Sequence, residues 1–154
     1  MESVTIRFVT EKDVISEAIR GVTWSAFSHV EFILDDGTTL GAHASGGVKI
    51  RPIDYAVFSN EERYRIPVTA DAKAAILAYA HAQVGKPYDF GDIAGIMLHR
   101  DWRNEDHWIC SELVTACFEQ AAPLLHADAQ YVNRISPRDV YLSSMLIGNR
   151  IWPI

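Results

Sequence analysis

Two strand-like runs, Ser28-His29-Val30-Glu31-Phe32-Ile33-Leu34 and residues 38–44, flank Asp35-Asp36-Gly37, and this pairing constrains the fold more than any other stretch of the chain. Asp-Gly supplies the positive φ values of a tight turn, so the two runs fold back on each other as an antiparallel hairpin. Side chains alternate across a strand with period two, which puts His29 and Glu31 on one face. The loop then decides what meets them from the second strand. A two-residue Asp36-Gly37 loop pairs His29 with Ala44 and turns His43 to the other face, whereas a three-residue loop pairs His29 with His43.

Residues 4–10 alternate apolar and polar side chains and read as a strand. Residues 11–19 carry helical spacing through Val14, Ile15, Ala18 and Ile19, closed by Gly21. Gly46-Gly47 precedes a short extended run, Val48-Lys49-Ile50-Arg51-Pro52, and residues 63–68 form another strand that Pro67 stops or places at an edge. A helix over residues 71–84, capped by Thr69 or Asp71 and closed by Gly85, buries Ala75, Ile76, Tyr79, Ala80 and Val84. A turn at residues 86–90, a shorter helix over 93–98 and a polar loop over 99–106 deliver the chain to Cys110. Ser136-Pro137-Arg138-Asp139 starts a last helix, with Ser136 as cap and proline at the first helical position. Residues 147–152 add an edge strand. Strands come first and helices later, the pattern of an α+β fold, and 154 residues fit a single domain over 1–154.

Hydrophobic residues make up 49% of the chain and charged ones 22%, the balance of an ordinary globular domain. A net charge of −6 with no basic run speaks against nucleic acid as a partner. The N-terminal residues lack a basic start and apolar core, and no apolar run approaches the ~20 residues of a spanning helix, so the expectation is a cytoplasmic protein with no integral membrane segment.

Chemistry concentrates at Trp108-Ile109-Cys110-Ser111-Glu112-Leu113-Val114, which places a cysteine in the first turn of an amphipathic helix. The positive end of the helix dipole favours thiolate, the nucleophilic form. His29 is the candidate base for Cys110. Cys117 lies two turns into the same helix, beyond help from the dipole and about 10 Å along the axis from Cys110, so both thiols are free. Free cysteine is ordinarily a small buried hydrophobe, the reading kept for Cys117. Glu112 is a dipole partner of its helix. Tyr88 and Ser111 are candidate cleft residues, while Trp24, Trp102 and Trp108 supply buried area or line a cleft. His99, Asp101 and His107 match no compact ligand spacing, so neither a metal nor another cofactor is expected.

These pieces resemble the circularly permuted branch of the NlpC-type papain-like superfamily of bacterial and phage amidase-like proteins, related to the lecithin retinol acyltransferases. The matching motifs are Ser28-His29-Val30-Glu31, Asp36-Gly37, Gly41-Ala42 with Gly46-Gly47-Val48, Gly85-Lys86-Pro87-Tyr88-Asp89, Cys110-Ser111-Glu112-Leu113-Val114 and Ser136-Pro137-Arg138-Asp139. The resemblance implies an antiparallel sheet packed on helices that include the cysteine helix, with Cys110 as nucleophile and His29 as general base. It also implies a cysteine peptidase or amidase acting on an amide or ester through an acyl-thioester. Its partners would be a small peptide, a cell-wall fragment or an acyl substrate. The family's third polar residue falls at Gly41, which has no side chain. Glu31 is preferred in its place and His43 is the alternative. Lipid acyl transfer or thioesterase action, and a non-catalytic binding or assembly role, are the rival functions.

Overall fold

The computed structural model describes residues 1–12, 17, 20, 21, 25–89, 106–121 and 135–152. Six strands among them make one antiparallel sheet: β1 (Glu2–Thr10), β2 (His29–Ile33), β3 (Thr38–His43), β4 (Gly47–Pro52), β5 (Asn60–Val68) and β6 (Asn149–Trp152). Their order is β4-β3-β2-β1-β5-β6. The first strand can lie between two others because Ile6, Phe8, Arg7 and Val9 are buried on its two faces. Pro67 sits beyond the last residue of β5 that pairs with β6, where its missing N–H leaves no gap in that ladder.

Three helices are described, α1 (Ala70–Ala82), α2 (Cys110–Glu119) and α3 (Pro137–Ile147). Thr69 caps α1 by accepting from the Ala72 N–H at 3.1 Å, an arrangement worth about 1 kcal/mol. Ser136 and Asp139 form a reciprocal capping box at the start of α3. The cysteine helix differs: Ile109 is its N-cap and no side chain caps it. Residues 110–118 of this helix are all buried. Leu113, Val114 and Phe118 join Ile6, Phe8, Val30, Phe32 and Leu40 in one core, with the Phe32 and Phe118 rings 6.1 Å apart.

The β2–β3 loop has three residues. Leu34 accepts from Gly37 N–H at 3.0 Å and donates to Thr38 at 2.8 Å, leaving Asp35, Asp36 and Gly37 as the loop. Asp36 Oδ1 draws the turn closed by accepting from the Thr38 N–H at 2.9 Å, and Gly37 takes φ +83°. The ladder pairs Phe32 with Leu40 and Ile33 with Thr39. Counted onward, Glu31 meets Gly41 and His29 meets His43. Of the two loops the sequence allows, the three-residue one forms, and His43 turns to the face of His29 and Glu31.

The expected papain-like architecture is also corrected. These elements build a sheet-dominated α+β fold, a continuous six-stranded antiparallel sheet with three described helices. The motifs that carried the resemblance have local physical causes here: a buried strand, a three-residue turn, a positive-φ approach at Gly47 and a capping box. Most of the helix expected over 11–19, the helix expected over 93–98, and the side chains of Trp24, His99, Asp101 and Trp102 lie outside the described residues.

Candidate active site

At the centre of the sheet, Arg7 of β1 and Glu31 of β2 are cross-strand partners, 1% and 0% exposed. Arg7 Nε donates to Glu31 Oε1 at 2.9 Å, Nη2 donates to the same oxygen, and Nη1 donates to the Ile53 carbonyl at 2.7 Å. The Phe58 and Tyr55 rings lie 5.0 and 5.6 Å from the guanidinium carbon. One carboxylate oxygen is thus committed to Arg7. The other, Oε2, faces His29 Nε2 at 3.5 Å and His43 Nε2 at 3.6 Å, each poorly aligned for a hydrogen bond. The two imidazoles lie 4.7 Å apart, both buried.

Gly41 makes room for this cluster. A Cβ there would stand 2.8 Å from Glu31 Cβ and 3.4 Å from His29 Nε2. The root of the Glu31 side chain thus fills the space beside Gly41, and its Oε2 would lie 3.5 Å from an added Cβ.

Cys110 reaches the cluster from the start of α2. Its Sγ lies 4.0 Å from the Ser28 carbonyl, and the thiol is near enough to His29 to influence the charge of its ring. Burial disfavours a charged His29, but contacts with Cys110 and Glu31 and their negative charge raise it to about 10. Burial likewise works against the Glu31 carboxylate, yet His29 and Arg7 hold it down at about 2. His43 is pushed down to about 3 by burial and by positive His29, which keeps it neutral. Burial alone drives the Cys117 thiol up, so it stays protonated.

A strap before α2 fixes where the thiol sits. Val48 accepts from Gly85 N–H and donates to the Lys86 carbonyl, both at 2.8 Å, and Trp108 N–H donates to Pro87 at 3.1 Å. Trp108 Nε1 donates to Gln83 Oε1 at 3.1 Å. Gly47, at φ +72°, permits this contact because a Cβ there would fall 2.2 Å from the Lys86 carbonyl oxygen. Tyr88 bridges to Trp108 and is buried. Ser111 is fully buried and donates to the Ile135 carbonyl at 2.6 Å, so it secures the approach to α3.

Sequence reasoning missed Arg7 and Glu11. A cation in the middle of an alternating apolar strand is the signal that marked Arg7, because a buried arginine demands a carboxylate on a neighbouring strand. Glu11 follows β1, its N–H held by Ser28 Oγ at 3.2 Å. One donor atom each from Glu11, His29 and His43 lie within 4.8 Å of one another. Among the described residues, these three are the group able to hold a metal ion. Both nitrogens of His43 are buried without a hydrogen-bond partner, an arrangement costing about 1–3 kcal/mol for each unsatisfied group. Glu11, Arg51, Tyr55 and Phe58 also line a cavity of about 350 Å³ beside the cluster.

A solved structure aligns with this fold over nearly its whole length. It is the crystal structure of metalloprotein yiiX from Escherichia coli O157:H7, with the family description DUF1105: TM-score 0.68, 18% identity, 97% of this chain and 96% of that chain. The chain shares the fold of yiiX. No protein-family model matches, and no curated protein does. The likeness is to a protein described as a metalloprotein and not to an NlpC-type papain-like cysteine hydrolase, which overturns the family resemblance together with its cysteine peptidase, thiol protease and amidase labels. The motifs behind it were each a few residues long, and each has the local cause given above. No helix among the described residues is long and apolar enough to cross a membrane.

Proposed function

We propose that the chain is an enzyme in which the Cys110 thiolate attacks an ester or amide carbonyl and passes through an acyl-thioester. The observation that carries this reading is the chain of contacts from Cys110 to His29 to Glu31 to Arg7 across three elements. His29 Nε2 faces Glu31, which leaves Nδ1 for the thiol. The thiolate carbon–sulfur bond forms as the carbonyl π electrons move to oxygen, and backbone N–H groups at the uncapped start of α2 stabilise that oxyanion. Collapse breaks the bond to the leaving alkoxide or amine, which takes its proton from His29. Water or a second acceptor then attacks the thioester, His29 removes its proton and Cys110 is regenerated. Arg7 and Glu31 are positioning residues: they hold the imidazole and balance its charge. A water acceptor makes the reaction a hydrolysis, and an alcohol or amine acceptor makes it an acyl transfer. A non-catalytic role is disfavoured because a thiol at a helix start, an imidazole and a carboxylate fixed by Arg7 converge there in one buried cluster.

The test is alkylation of Cys110 by iodoacetamide in Cys117→Ser protein, with and without His29→Ala, followed by a search for an acyl adduct on Cys110 after exposure to p-nitrophenyl acetate. Fast alkylation that depends on His29, and an adduct on that cysteine, support the reading. A thiol indifferent to His29 refutes it.

A second reading has its own observation. The yiiX protein is described as a metalloprotein, and in this chain the buried, unpartnered nitrogens of His43 fit a cation better than they fit an apolar interior. Glu11, His29 and His43 would hold it. A bound divalent ion would supply Lewis acidity next to the cavity that Glu11 lines.

A further inference from the structure

We infer that Glu11, His29 and His43 bind a divalent transition cation such as zinc, and that this cation disarms Cys110 by occupying the lone pair His29 needs as a base. The inference rests on the proposed role of His29 toward the thiol, and it adds a means of regulation at that site. The donor set of two imidazoles and one carboxylate suits zinc and leaves a position open. The three donor atoms lie within 4.8 Å of one another. Two donors sharing one tetrahedral zinc ion at about 2.0–2.2 Å lie about 3.3–3.6 Å apart, so the side chains close by up to about 1.5 Å, a movement within reach of imidazole and carboxylate rotation, to share one ion. His43 is 4% exposed and neither ring nitrogen has a hydrogen-bond partner, as is also true of His29 Nε2.

The exclusion follows from the chemistry of one ring. A neutral imidazole has one lone pair, and a proton or a metal takes it. If the ion binds Nδ1, it displaces the thiol. If it binds Nε2, Nδ1 must carry the hydrogen and has no lone pair with which to accept the thiol proton. Either nitrogen gives the same result. Zinc-loaded protein would be a stored, inactive form, and removal of zinc by a stronger chelator would free the cysteine.

The experiment uses the whole chain carrying Cys117→Ser, stripped of metal, then titrated with zinc chloride by equilibrium dialysis while circular dichroism monitors the fold. One zinc ion per chain is expected. His43→Ala and the milder Glu11→Gln, whose side chain is only half-buried, should each weaken binding by about tenfold or more. Cys110→Ser should bind as well as its parent. At pH 7, zinc should slow iodoacetamide modification of Cys110 to the rate of metal-free His29→Ala protein, and EDTA should restore the rate. In folded Glu11→Gln, zinc at the concentration that half-saturates the parent should leave the rate within about a tenth of its metal-free value. Absence of zinc binding overturns the inference. Loss of binding in Cys110→Ser overturns it too, since the thiolate would then be a ligand, and so does binding with unchanged alkylation. Metal-free Cys110 that is indifferent to His29→Ala defeats the thiol reading and the exclusion with it, while dialysis still decides whether the three residues hold zinc.

Discussion

Replacing Gly41 with alanine probes the site through a single methyl group. Gly41 has an ordinary strand backbone, outside the positive-φ set, so alanine meets no backbone penalty and reduces the freedom of the unfolded chain, a gain of about 0.4–1 kcal/mol. Against this, the new Cβ would stand 2.8 Å from Glu31 Cβ. Carbon pairs are most favourable at about 3.5–4.0 Å. The overlap is with the root of a side chain pinned by Arg7, not with a flexible tip, so β2 and β3 must part or Glu31 must turn. Overpacking of this kind costs about 1–3 kcal/mol. The balance is a net destabilisation of about 0–2.5 kcal/mol. The effect on chemistry should be larger than that on stability, because the side chain that must turn is Glu31, whose Oε2 faces His29 Nε2 at 3.5 Å. Urea unfolding gives the first quantity and the Cys110 alkylation rate in a Cys117→Ser background gives the second. A Gly41→Ala protein with unchanged alkylation and equal or greater stability would refute the idea that Gly41 exists to admit Glu31.

Arg7→Met leaves a carboxylate buried without its cation and should cost about 3–5 kcal/mol by urea unfolding, whereas Arg7→Met with Glu31→Leu should recover much of that loss; a double variant no better than the single one would show that the pair is not the cause. The same pair sets a pH dependence. Glu31, held down at about 2, contributes stability that is present above its unfolded value of ~4.3 and is lost as pH falls through about 2, while His29, raised to about 10, contributes stability present below ~6.5 and lost as pH rises through about 10. The stability difference between the parent and His29→Ala should therefore be greatest near pH 4.5–6.5, and a difference that is flat across pH 4–10 would contradict it. Gly47→Ala drives a Cβ against the Lys86 carbonyl at a positive φ, so it should destabilise by about 1–3 kcal/mol and slow Cys110 alkylation by shifting the strap ahead of α2. Wild-type stability and reactivity in that variant would remove the strap from the account.

The hairpin, the capped helices and the cysteine helix were legible because each is set by local chemistry: Asp-Gly at a turn, Thr69 and Ser136 at caps, an apolar run after Ile109. The register was not legible from the turn residues alone, since Asp36-Gly37 serves two-residue and three-residue loops equally well. It was decided by Asp36 reaching Thr38, a bond of 2.9 Å that draws Asp35 into the loop. That single added residue carries His43 to the face of His29. Arg7 escaped because its partner lies 24 residues away on another strand, and no periodicity within β1 names a partner. Glu11 escaped for the same reason: its meaning comes from His29 and His43, which only the sheet brings to it. The family resemblance failed on the opposite ground. Motifs such as Ser136-Pro137-Arg138-Asp139 are sufficient for a helix start in any fold, so agreement in several of them measures shared local physics and not shared ancestry. What distinguishes this chain is the contact order among elements. Arg7 fixes Glu31, Gly41 leaves it room, and Glu31 lies between two imidazoles that a thiol and a metal ion can each claim.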